Sequence, residues 1–332
     1  MSQLPLVTIV VVPRDRFYFT QESLESLLEH TDYPYHLVYV DAGSPQHIRN
    51  YLQKKSAENQ FELIRSNHYL SPNRARNLGL SRVKTKYVVF LDNDVVVSPG
   101  WLTAMVDCVN ETGCAAVCPL TCQDTPIHEH IHYAGGEASI EEVQKAGVTE
   151  RRLVEKMYLQ DKKVTQVRDQ LRRVSIGFTE FHCFLVRTDV CNKVGGFDEA
   201  MTCTKEHIDF SLRVKDAGES IYFEPKSLVT FLTHFSSPAL ASWDVPFYML
   251  RWSDAWEYGS LKHLSAKWRL TENSYFKDRY KNLGWRRKET IVKPLVRKIP
   301  FHYVGRVAEK ILCVLEKQFN RCLTSYYSWR YG

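Results

Sequence analysis

The nine residues Lys86–Asp94 read KYVVFLDND, an apolar run that ends in two carboxylates one residue apart. Tyr87 to Leu91 is rich in β-branched and aromatic side chains, the composition of a buried parallel strand. Asp92 and Asp94 do not belong deep in a core, because unpaired buried charge is too costly. The run is therefore predicted to surface at its C-terminal end, where open α/β sheets place their ligand sites. Side chains two apart on an extended chain face the same way. Two carboxylates so placed serve a hard divalent cation, directly or through water and a substrate hydroxyl. The same residues also make an ordinary strand-ending turn of solvated Asp and Asn, and the pair alone does not separate the two readings.

The segments around it alternate. Leu6–Val12 reads as a strand ended by Pro13, and Thr20 opens a helical pattern through Leu24, Leu27 and Leu28. Tyr35–Val40 is a strand running into Asp41-Ala42-Gly43-Ser44, His47–Lys55 a helix, Glu62–Arg65 a strand and Asn73–Ser81 a helix. This order predicts a doubly wound, mostly parallel sheet for the first hundred residues. Further on, Trp101–Asn110 reads as helix and Ala115–Pro119 as strand; Phe181–Arg187, Ile221–Glu224 and Leu228–Leu232 also read as strands. Lys205–Ala217 reads as a helix stopped by Gly218. Residues 124–175 are polar and weakly periodic, a predicted surface excursion or lid.

Charge divides the chain unevenly. From Lys262 onward there are 17 Lys and Arg against 5 Asp and Glu, so the preceding residues carry a net negative charge although the whole is +6. An acidic body with a basic tail points to a polyanionic partner for the tail. Val304, Val307, Ala308, Ile311, Leu312, Leu315 and Phe319 fall at helical spacing among the basic residues. That pattern fits an amphipathic helix on an anionic membrane surface and equally a helix whose apolar face packs on the preceding body, while nothing in the tail resembles a module that reads nucleic acid. No run approaches the roughly 18 apolar residues of a membrane span, and the first residues lack a basic leader region. Nine scattered cysteines fit a reducing cytoplasm, with peripheral attachment to the inner membrane face as the accompanying expectation.

The ordered set TIVVVP, VDAGS, ARNLGL, FLDND, GGFDE and EHIDFSLRVKDAG followed by YFEP resembles a family 2 glycosyltransferase of the GT-A fold across roughly residues 5–236. The resemblance implies a catalytic domain over residues 1–240, divided near residue 100 into nucleotide-binding and acceptor-binding halves. Residues 241–332 then form a basic, mainly helical extension. It also implies transfer of a sugar from a nucleotide diphosphate, with UDP favoured, to a saccharide or lipid-linked acceptor, with a divalent metal and inversion. Asp41 matches the acid that accepts a hydrogen bond from the base, although Ala42 stands where the family often has a second Asp. Arg76 and Asn77 lie on a helix expected to face the nucleotide, with Arg76 pairing phosphate or bracing Asp41. Asp92 matches the ribose and metal-shell position and Asp94 the metal ligand. His234 is the further ligand the resemblance offers, and imidazole suits Mn2+ better than Mg2+.

The chain departs from the family at the base. The usual Glu-Asp-x-Asp is here Glu206-His207-Ile208-Asp209. Histidine is suited to general-base work near neutrality, and Glu206 is an equal candidate, with His207 then orienting it. Asp209 and Arg213, four apart, read as a bracing pair within the same catalytic segment. His128, His130 and His132 would share one face of a strand, and Glu180 and His182 precede the acceptor-side strand. Cys114, Cys118 and Cys122 read as packing residues. A sugar-phosphate nucleotidyltransferase shares the sheet and carboxylates, but Val12–Arg16 lacks its glycine-rich loop. A non-catalytic nucleotide-sugar binder is the other alternative, motivated by His207 and Ala42.

Overall fold

The computed structural model describes residues 6–145, 147–232, 239–300 and 302–331. The first part alternates as predicted: β1 (Val7–Val12), α1 (Thr20–His30), β2 (Tyr35–Ala42), α2 (Gln46–Asn59), β3 (Glu62–Ser66), α3 (Pro72–Leu80) and β4 (Tyr87–Asp92). These strands run parallel in the order β4-β1-β2-β3. Every residue of β1 and β4 is buried, which is why both read as unbroken apolar runs rather than alternating ones. Successive residues serve opposite layers: Val10, Val12, Val88 and Phe90 pack in one core cluster, and Ile9, Val11, Val89 and Leu91 in the other. Helix α3 approaches β1 so closely that a Cβ on Gly79 would lie 2.2 Å from Val10 Cγ1. Only glycine fits there.

Beyond Asp92 the sheet becomes mixed. It continues through β5 (Val95–Val97), α4 (Trp101–Thr112), β6 (Ala116–Gln123), β7 (His130–Tyr133), β8 (Gly136–Lys145), β9 (Val148–Met157), β10 (Val174–Ile176), β11 (Cys183–Arg187) and β12 (Ile221–Phe231). The main path is β10-β12-β6-β11-β4-β1-β2-β3. Strand β11 is antiparallel to both β4 and β6, and β12 is again parallel to β6. The two strands predicted at 221–232 are a single strand whose register to β6 shifts between Glu224 and Leu228. Pro225 lies in that break and has no N–H to give the ladder.

Residues 124–175 carry regular structure of their own. Strand β7 lies on β6 and β10 on β12, while β8 and β9 form a separate antiparallel hairpin. His128 has φ of +64° and precedes β7, so it does not share a strand face with His130 and His132. The last part is helical, including Val245–Arg251, Asp254–Lys267, Ser274–Lys281 and His302–Tyr331. It packs back onto the sheet body: Phe17 N donates to Asp244 Oδ1 at 2.8 Å, and Tyr327 Oη donates to the Tyr69 carbonyl. Among the described residues no helix is long and apolar enough to cross a membrane.

Candidate functional site

Strand β4 delivers Asp92 to the C-terminal edge of the sheet, and Asp92 N donates to the His182 carbonyl at 2.9 Å. That bond ties the edge of β4 to the segment entering β11. Asn93 is a structural plug: its Nδ2 donates to Arg16 O at 2.8 Å and to Thr20 Oγ1 at 3.1 Å, and its Oδ1 accepts from Arg14 N at 3.0 Å. It thereby holds the loop after β1 against the carboxylates. Asp92 and Asp94 are both buried, so the solvated-turn reading does not describe them.

Two arginines meet these carboxylates. Arg76, buried on α3, donates through NH2 to Asp92 Oδ1 at 2.9 Å, and its guanidinium lies 4.6 Å from the centre of the Phe181 ring. It braces Asp92, not Asp41. Arg14 lies between the pair, with Nε 3.8 Å from Asp92 Oδ2 and NH1 3.5 Å from Asp94 Oδ2. Burial raises the Asp92 carboxyl to about 6, with Arg76, Arg14 and Arg251 pulling the other way. Arg14 thus stands beside both carboxylates of the Asp92–Asp94 pair. His234 lies outside the described residues.

The cavity beside Asp92 has a volume of about 260 Å³. Arg14, Arg76, Asp92, His132, Glu180, His182, Glu206 and His207 line it, and Arg251, Arg279 and Arg286 come to it from the C-terminal helices. A second space of about 370 Å³ shares Arg14, His132 and Arg286 with it. A larger hollow of about 660 Å³ lies around Thr8, Tyr35 and His36, at the N-terminal ends of β1 and β2. That is the edge away from where parallel strands present ligand sites, and it carries none of the predicted site residues.

Glu206 opens the helix Glu206–Asp216 and is buried against Arg251, whose NH2 donates to Glu206 Oε1 at 3.1 Å. His207 Nε2 lies 3.6 Å from Glu180 Oε1. Burial would raise the Glu180 carboxyl, but His207, His182, His132 and Arg14 outweigh it and hold it down to about 2. Burial brings His132 down to about 4 and His182 well below the ordinary imidazole value. The arrangement thus places an ionised carboxylate beside the neutral imidazoles of His132 and His182, in a cavity that guanidinium groups also line. Imidazole against carboxylate is proton-transfer chemistry, and guanidinium groups are the usual partners of phosphate oxygens.

Other predicted residues are not brought to this cavity. Asp41, at the end of β2, accepts from Ser44 N at 3.0 Å through Oδ1 and is paired with Arg65 through Oδ2. The Asn77 carboxamide is taken up by the Phe197 backbone, donating to its carbonyl at 2.8 Å and accepting from its N–H at 2.9 Å. It clamps the Gly195-Gly196 turn that precedes the helix Glu206–Asp216. Asp209 is buried and saturated, accepting from Arg213 Nε at 2.9 Å and Trp268 Nε1 at 3.0 Å, with Lys267 Nζ at 2.7 Å. It joins its helix to the C-terminal helices and does not line the cavity. The three predicted packing cysteines are buried and free. Sequence reasoning did not single out Arg14, Arg251, Arg279 or Arg286 for the site. Their charge carried no period or spacing that would set them apart from surface residues.

Residues 8–195 match the family described as glycosyl transferase family 2. The pre-mycofactocin glycosyltransferase of Mycobacterium tuberculosis is 25% identical over 199 residues, covering 58% of this chain and 36% of that protein. A Haemophilus influenzae protein named uncharacterized glycosyltransferase is 23% identical over 107 residues, covering 32% of this chain and 33% of that protein. The chain thus spans about a third of the length of these two relatives. Among solved structures, GalNAc-T7 with UDP, GalNAc and Mn2+ superposes with a TM-score of 0.52 and 16% identity, over 90% of this chain and 58% of that one. This last likeness is one of fold.

Proposed function

We propose that this chain, which belongs to glycosyl transferase family 2, moves a sugar from a nucleotide diphosphate to an acceptor hydroxyl. A UDP-sugar is the favoured donor, and a saccharide or lipid-linked saccharide the acceptor. The observation that carries this reading is one cavity lined by Glu180, His207, Arg14, Arg279 and Arg286 beside Asp92. A donor diphosphate needs positive charge that strengthens as the leaving group forms, and the arginines supply it. A divalent cation, Mn2+ or Mg2+, would add Lewis-acid stabilisation of the same charge.

The base is assigned to His207. Glu206 is engaged by Arg251, whereas Glu180 is placed to orient the His207 imidazole. His207 takes the acceptor proton, the acceptor oxygen bonds to the anomeric carbon, and the carbon–oxygen bond to the diphosphate breaks with inversion. The base-binding role of Asp41 requires it to share its carboxylate with Arg65. The exposed face of the helix His302–Tyr331, with Val304, Ile311, Leu315 and Phe319 outward, supports contact with an anionic membrane surface.

The deciding experiment incubates the full chain with a panel of UDP-, GDP- and dTDP-sugars, with and without Mn2+, and measures release of the nucleotide. Release with one donor, increased by a matching acceptor, is the expected result. Nucleotide binding with no release across the panel would favour the non-catalytic binding protein.

A further inference from the structure

We propose that His132, Glu180 and His182 form a site for a divalent transition-metal ion, next to the Asp92–Asp94 pair and distinct from it. One ligand atom from each of the three lies within 4.8 Å of the others. The site deepens the proposed function by placing a cation at the donor cavity, yet it stands on the geometry of these side chains alone.

The rings are held in ligating form. Gln123 Nε2 donates to Asp161 Oδ1 at 3.1 Å, which fixes the carboxamide and turns Gln123 Oε1 to His132 Nδ1, also at 3.1 Å. A carboxamide oxygen only accepts, so Nδ1 carries the proton and Nε2 keeps its lone pair. This is the outer support that metal-binding histidines use to set tautomer and orientation. His182 is buried, and its Nδ1 has no hydrogen-bond partner among the described residues; it lies 3.5 Å from Asp92 Oδ2. Leaving a buried polar nitrogen unsatisfied costs free energy, and a cation bound at this nitrogen removes that cost. Phe231 packs against both imidazoles, stacked on His182 at 4.2 Å and edge-on to His132 at 4.8 Å between ring centres.

Metal bonds to imidazole and carboxylate of about 2.0–2.2 Å require the ligand atoms to close in by roughly 1 Å, a side-chain movement. Two imidazoles with one carboxylate select Zn2+, Co2+, Fe2+ or Mn2+, whereas Mg2+ prefers an all-oxygen shell. The three ligands leave open positions for the oxygens of a bound anion.

The test uses the full chain, stripped with a chelator, without donor or acceptor. Equilibrium dialysis against Zn2+, Co2+, Mn2+ and Mg2+ is paired with the visible absorption of Co2+, which reports nitrogen ligation. One equivalent of Zn2+ or Co2+ is expected, with Mg2+ failing to compete. Glu180→Gln and His132→Gln, each checked for the native circular dichroism spectrum, should weaken binding at least tenfold, while Asp94→Asn should retain it. Failure of the wild-type chain to bind Zn2+, Co2+ or Mn2+, retention in both Gln variants, or loss in Asp94→Asn would overturn the site. Because no sugar transfer is read, that failure would leave the glycosyltransferase reading to be judged by donor turnover.

Discussion

Arg14 NH1 lies 3.5 Å from Asp94 Oδ2, the carboxylate that the family resemblance offers to a metal ion. The same group reaches Asp92 at 3.8 Å, and both carboxylates are buried. Arg14→Met keeps the apolar stem and removes the charge, so two buried acids lose a shared counter-ion. Breaking a buried pair from one side costs about 3–5 kcal/mol, and Arg76 remains to hold Asp92, so the expected loss is near the lower end. Mn2+ should raise the melting temperature of Arg14→Met more than that of the wild type. Adding Asp94→Asn should abolish this excess. A variant that melts like wild type, with no greater response to Mn2+, would show that Arg14 does not neutralise the pair.

His207 and Glu206 separate in kinetics. His207→Ala is expected to lower kcat by a factor of about 10²–10⁴, the usual worth of a general base, with donor affinity unchanged in a binding titration. Glu206→Gln loosens Arg251 and should act mainly through donor affinity and stability. The opposite pattern, kcat collapsing in Glu206→Gln and surviving in His207→Ala, assigns the base to Glu206.

Asp209 belongs to the predicted catalytic segment, but its carboxylate joins Arg213, Trp268 and Lys267. Asp209→Ala strands these donors where the sheet body meets the C-terminal helices. A loss of about 3 kcal/mol is expected, read by urea unfolding, with kcat within a few-fold of wild type at temperatures where the variant is folded. A kcat loss of 100-fold or more without loss of stability would return Asp209 to the chemistry.

These residues also show which features a sequence exposes. Strand β4 was readable because burial on both faces leaves an unbroken apolar run that ends in the carboxylates. The hairpin β8–β9 was not, because most of its side chains are partly or fully exposed and no apolar alternation marks it. Arg14 was hidden because its partners are about 80 residues away and a loop charge has no period. His132, Glu180 and His182 meet only because β7 pairs with β6, and β6 with β11. The i, i+2 spacing of Glu180 and His182 was visible in the sequence, but their proximity to His132 depends on sheet order. The arginines of the C-terminal helices read as surface charge because only tertiary packing turns them inward.

The final helix gives a surface prediction. Ile311, Leu315 and Phe319 are exposed on the helix His302–Tyr331, beside Lys and Arg side chains that attract anionic lipid. The full chain is expected to co-sediment with vesicles containing phosphatidylserine, and not with neutral phosphatidylcholine vesicles. The triple substitution Ile311→Ser, Leu315→Ser and Phe319→Ser should abolish this while leaving the cavity arginines in place. Unchanged sedimentation would refute a membrane role for this face.

His132 makes stability depend on pH in a direction that can be worked out. Burial lowers its pKa from the ordinary 6.5 to about 4. Below pH 6.5 the unfolded chain takes up a proton that the folded chain refuses, so this contribution to stability is lost as pH falls from about 6.5 to about 4. Asp92 acts in the opposite sense: its carboxyl is raised to about 6, so the folded chain is protonated first and gains stability as pH falls through that value towards 4. The wild-type profile mixes the two, and a variant isolates one. His132→Asn removes the imidazole leg, so the stability of the wild type relative to the variant should shrink on going from pH 7 to pH 4.5. The expected change is on the order of 2 kcal/mol, somewhat below the full value of a shift of this size. Urea unfolding at several pH values, with a chelator to remove metal linkage, reads it directly. His182 and Asp92 are common to both proteins and cancel to first order. A difference that does not change with pH would mean that His132 is not held neutral in the folded chain.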